Sequence, residues 1–111
     1  MNSVLDSVKD YLGISPDILV FDSTIKMHIN NSFVILHQIG VGPTEGFIIQ
    51  SNVETWDDYT PTKFDQEAVK NYICMKVKVS FDPPTSSFVL TSLDNQIREL
   101  EWRLKVKSET M

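Results

Sequence analysis

The chain has 111 residues, 41% of them hydrophobic and 10% aromatic, and carries a formal net charge of -5. A folded chain of this length removes about two thirds of its unfolded surface from water, so the composition points to one ordered domain and away from a disordered chain. Fifteen acids against ten Lys and Arg argue against a surface built to coat DNA or an anionic membrane, because phosphate binding relies on clustered cations.

The opening "MNSVLDSVKDYLG" has neither a basic leader nor an unbroken apolar run, so an intracellular protein is expected. It reads instead as a first helix over about 3–13, with Ser3 or Asn2 as cap, Leu5, Val8 and Leu12 at helical spacing, and Gly13 as terminator. "SPDILVF" reads as a turn. Asp22 suits the N-cap of a second helix over 22–39, in which Ile25, Ile29, Phe33 (or Ser32) and Leu36 follow the helical period up to "GVGP". Residues 44–62 mix turn formers with one short apolar run, Phe47 to Ile49, which predicts an irregular section with a brief extended or β segment.

The third helix, 64–81, is ambiguous at its end: Ile73, Met75, Val77, Val79 and Phe81 alternate as in a strand, while Val69, Tyr72, Ile73 and Val79 suit a helix. Length and a helix-forming start favour helix. "FDPPTSSF" ends it, since Pro83 and Pro84 push the preceding residues out of helical geometry, and Thr85, Ser86 and Ser87 supply hydroxyls for the next helix start. Phe81 and Phe88 are expected to clamp this structural corner. The last helix, 85–105, carries Ser86, Leu90, Leu93, Ile97, Leu100 and Leu104 on one stripe, with Asp94–Arg98, Glu99–Arg103 and Glu101–Lys105 as supporting pairs at i,i+4. The expected fold is therefore mainly α: about four helices with an irregular middle and a long C-terminal helix.

No catalytic, cofactor or metal site emerges from the residues. His28 and His37 are nine positions apart, about 180° around a helix, so they cannot share a metal. Asp57 and Asp58 in "ETWDDY" are neighbours that point apart, and Trp56 beside them makes a natural anchor pinning the loop to the body or to a neighbour. Cys74 is the single cysteine, expected to be a buried thiol. "GVGPTEG" lacks the Lys, the preceding strand and the following helix start of a phosphate loop. Surface is what remains: Phe88 and Trp102 fall off the main stripe of the last helix, which suits either a wide core face or packing against another subunit.

The segments "MHIN", "FVILHQIGVGP", "TWDDY", "FDPPTSSF" and "QIRELEWRL", in this order and spacing, resemble the small head-tail connector (adaptor, or head-completion) proteins of tailed bacteriophages. The resemblance runs from about Val4 to Leu104. It implies a structural protein without cofactor, located in the neck of the virion and made in the host cytoplasm. It further implies a homo-oligomeric ring, typically of twelve copies, that docks under the portal protein, extends the DNA channel without sequence-specific binding, and offers a surface to the next connector or tail protein. The resemblance implies no membrane partner. With that assembly in view, Trp102, Arg103, Lys105 and Lys107 are the expected portal contacts, and Trp56, Tyr59 and Phe88 the expected inter-subunit or tail-side contacts. The alternative from the residues is a small regulatory or adaptor protein that dimerises through its heptad-like last helix.

Overall fold

The computed structural model describes residues 2–109. Five helices follow one another: α1 (Val4–Leu12), α2 (Asp22–Gln38), the single-turn α3 (Trp56–Tyr59), α4 (Lys63–Phe81) and α5 (Ser87–Glu109). No strand occurs among the described residues; the one β-type contact is an isolated antiparallel bridge between Ser3 and Thr55.

α4 is the centre of the molecule, with α2, α5, α1 and α3 all packed against it. That position explains the ambiguous pattern of its second half. Tyr72, Ile73, Cys74, Met75 and Val77 are all buried, on every side of the helix, because neighbours surround it. A helix wrapped by partners loses its polar face, and with it the period that separates helix from strand in a sequence.

α1 starts with the Ser3 hydroxyl accepting the Asp6 N–H at 3.3 Å and ends at Gly13, whose φ of 78° is the left-handed geometry that only glycine adopts cheaply. The start of α2 differs from expectation. Phe21 occupies the N-cap position without a side-chain bond, and Asp22 instead lies 2.8 Å from the ammonium of Lys9. Lys9 is 1% exposed and also donates to the carbonyls of Pro16 (3.1 Å) and Ile18 (2.7 Å). A buried ammonium is tolerated only when fully paired, and here the pairing ties the loop 14–21 to α1.

The expected extended or β segment in the middle forms no strand and pairs with a side chain. The amide of Asn30 donates to the Ile49 carbonyl at 2.9 Å and accepts the Ile49 N–H at 2.8 Å, which meets both backbone needs of that residue without a second strand. Phe47 then lies against Phe33 and Tyr59, with ring centroids 5.0 and 5.4 Å apart.

The corner between α4 and α5 departs from expectation in its clamp and not in its break. Both prolines lie in the link outside either helix, and Ser86 is the cap, its hydroxyl accepting the Val89 N–H at 3.3 Å. Phe81 packs edge-on against Phe21, with centroids 5.5 Å apart, while Phe88 is 73% exposed, so the two do not form the expected clamp. A helix that begins just past the bundle edge has nothing above its first turn to pack on. α5 is held to α4 further along, through buried Ile97 and Leu104 and a 2.6 Å bond from the Tyr72 hydroxyl to Glu101. Glu101 therefore turns to α4 and away from the expected pairing with Lys105.

Candidate functional site

The residues that looked most chemical in the sequence are occupied with structure. Thr55 and Asp58 form a reciprocal cap on α3: the Thr55 hydroxyl accepts the Asp58 N–H at 3.2 Å, and the Asp58 carboxylate accepts the Thr55 N–H at 2.9 Å. Asp57 accepts from Gln66 and Asn2, each at 2.8 Å, and these two hydrogen bonds hold its carboxyl below the usual Asp range. His37 meets the Thr44 carbonyl at 2.9 Å through Nε2, which ties the "GVGPT" turn back to α2. Cys74 is buried, and burial raises its thiol to about 11. Among the described residues no three His, Cys, Asp or Glu side chains gather in a metal-holding cluster. No described helix is long and apolar enough to cross a membrane.

Trp56 and Tyr59 sit inside the chain's own core, at 3% and 5% exposure. The indole N–H of Trp56 donates to Ser7 at 3.1 Å, and both rings pack on Phe33. Of the two anchoring roles read for Trp56, pinning the loop to the body is the one observed. Neither side chain offers a subunit contact in this arrangement, because the bridge from Ser3 to Thr55 draws the whole segment under α1. Gly42 completes the seal over Tyr59: its φ is 93°, and a Cβ there would stand 2.5 Å from the tyrosine oxygen.

Phe88 and Trp102 lie outside, 73% and 64% exposed. They are fourteen residues apart, which is two heptads and about 21 Å along the helix, and both point away from the buried Ile97 and Leu104. Arg103 is held beside them by Glu99 at 3.1 Å, and Lys105 is exposed. Lys107 departs from this group: it reaches back to Asp65 on α4 and lies over the Phe64 ring, 5.2 Å from its centroid. The four residues expected at the portal thus divide, three on the outer surface of α5 and one turned toward α4. An open groove of about 850 Å³ runs along the same outer flank, from Ser87 and Phe88 past Ser92 and Asn95 to Leu100.

A second apolar surface was missed in the sequence. Ile18, Leu19, Val20 and Phe21 are 44, 67, 77 and 43% exposed, in the loop that read as a plain turn. Four consecutive apolar residues between Pro16 and Asp22 were the available signal, since a turn needs none of them for its geometry. Lys9 holds this loop through two of its carbonyls, so the apolar surface is presented on a fixed backbone.

A family model described as phage connector protein matches residues 4–111. No curated protein and no solved structure gives a significant match.

Proposed function

The chain belongs to the phage connector protein family, and from that premise we propose that it is a non-enzymatic subunit of the ring that joins a phage head to its tail. The ring docks beneath the portal protein, prolongs the DNA channel and receives the next neck or tail protein on its far side, within the neck of the virion. What supports this beyond the family is the exposed apolar surface of a chain that has already filled its core: Phe88, Trp102 and the loop 18–21 remain in solvent while eighteen hydrophobic residues among those described are buried. Surplus of this kind marks an interaction site, and a closed ring covers it without leaving sticky ends.

Trp102, Arg103 and Lys105 are the proposed portal contacts on α5, with Lys107 setting the approach of the helix end to α4. Phe88 is the proposed inter-subunit contact, and Trp56 and Tyr59 contribute indirectly by fixing the body beneath it. The negative balance of the chain suits a channel through which phosphates pass without sticking.

Co-expression with the portal protein of the same phage tests the assignment. Trp102→Ala combined with Arg103→Glu is expected to abolish co-purification with the portal while the far-ultraviolet dichroism of the chain stays unchanged. Undiminished co-purification of that variant would remove α5 from the portal contact.

A further inference from the structure

We propose that the outer face of α5 docks a second copy of this chain in antiparallel orientation, with the two-fold axis passing at Asn95. The three residues that carry this face are Phe88, Asn95 and Trp102, each seven apart, so they form one stripe that drifts only about 20° per heptad. The stripe is symmetric about its centre. Reversing the helix and placing Asn95 against Asn95 sets Phe88 of each copy on Trp102 of the other, at both ends of the contact. A shift by one heptad in either direction would oppose an aromatic ring to the amide and leave another ring uncovered.

Charge selects the same arrangement. Residues 85–93 carry no charge, whereas 94–109 hold all the acids and bases of the helix. In the antiparallel register Thr91 meets Glu99, Ser92 meets Arg98, and Ser87 meets Arg103, so each charged group on the outer flank faces a hydroxyl able to bond it. A parallel pair would set Arg98, Glu99 and Arg103 beside their own copies, which is destabilising for like charges. The uncharged half is thus the complement of the charged half of a second copy.

The face is open to such a partner. Thr91, Ser92, Asn95, Arg98 and Glu99 are all exposed, and the 850 Å³ groove beside Phe88 lies along the contact. Four aromatic side chains at about two-thirds exposure remove on the order of 500 Å² from water, and the residues between them bring the total to about 1,000 Å². That is the low end for a specific pair, so the dimer is weak and dependent on concentration. Leu93, Ile97 and Leu104 take no part, because they pack against the chain's own core.

The pairing does not depend on the connector reading, but it has a consequence within it. Trp102 and Arg103 are covered in the pair, so seating on a portal opens it and releases the face only where the partner is present.

Cysteine cross-linking of the full chain tests orientation and register together. Under mild oxidation Asn95→Cys is expected to form a disulfide-linked dimer; Phe88→Cys alone and Trp102→Cys alone are not, and an equimolar mixture of those two is. Wild-type chain, whose Cys74 is buried, supplies the background. Sedimentation should show a dimer appearing toward high concentration and weakened at least about tenfold by Trp102→Ala. Self-linking of Phe88→Cys and of Trp102→Cys would indicate a parallel pair and overturn the proposal. So would a chain that stays monomeric with no Asn95→Cys linkage above background. Portal binding measured on the same preparations separates the two ideas, since either can fail while the other stands.

Discussion

Two parts of the molecule each contain a phenylalanine and a tryptophan that they use in opposite ways. In α2 and the segment after it, Phe33 and Trp56 are 2% and 3% exposed; on α5, Phe88 and Trp102 are 73% and 64% exposed. The first pair is covered because the chain folds back on itself, with Asn30 bonding the backbone of Ile49 and Ser7 receiving the indole N–H. The second pair lies on a helix that is anchored on one side only. Burial of large rings in a small domain is decided by whether a loop is brought over them, not by the rings themselves.

Substitutions separate the two regions. Trp56→Ala is expected to cost about 3–5 kcal/mol in denaturant unfolding, the usual range for emptying a core tryptophan site, while Trp102→Ala changes the stability of the single chain by less than about 0.5 kcal/mol. Equal losses would erase the contrast. Lys9→Met comes next, at about 3 kcal/mol, because it leaves Asp22 and two carbonyls without their shared cation; thermal unfolding measures it, and a neutral result would mean that the loop 14–21 is not held through this ammonium. Gly42→Ala should cost about 2 kcal/mol or more, since the new methyl group meets the Tyr59 ring as well as its oxygen and the backbone stays at positive φ.

How far these residues were legible in the sequence follows from the range of the interactions. The helix ends were readable where Gly13, Gly40 and Pro83–Pro84 punctuate a 3.6-residue period, while the off-stripe position of Phe88 and Trp102 fitted a wide core face of α5 as well as a subunit contact. Lys9 was not readable. Its partners are a carboxylate and two loop carbonyls that become neighbours only once α1 and α2 are packed, and a lysine in an amphipathic helix otherwise reads as solvated. The sequence leaves Trp56 open between the body and a neighbour and sets Tyr59 at a contact for the same reason: their burial depends on the bridge between Ser3 and Thr55, fifty-two positions apart, which no local pattern announces. Asp57 and Asp58 look like a chemical pair until their partners, Asn2, Gln66 and the Thr55 backbone, are seen.

Smaller effects sharpen the contrast further. Tyr72→Phe removes the bond from the buried middle of α4 to Glu101 of α5 and is expected to cost about 1.5 kcal/mol, with α5 amides exchanging faster than those of α2; uniform exchange would show that α5 is bound as firmly as the rest. Glu54 contributes to the acid limb of stability. Burial alone would raise the Glu54 carboxyl, but backbone N–H groups of Gln50 and Ser51 outweigh it and hold Glu54 below its ordinary value of 4.5. A lowered folded value stabilises above the unfolded one and is lost as pH falls through it, so stability should decline below about pH 4.5 and Glu54→Gln should flatten that decline. An unchanged slope would place the acid sensitivity elsewhere.

Electron microscopy of the chain assembled with its portal protein bears most directly on the role of the outer surface of α5. The expected image is a closed ring under the portal in which Trp102 and Phe88 are covered by neighbouring protein while Trp56 keeps its place in the core. A ring with the outer face of α5 left in solvent, or no ring at all on a portal that binds its other partners, would contradict it.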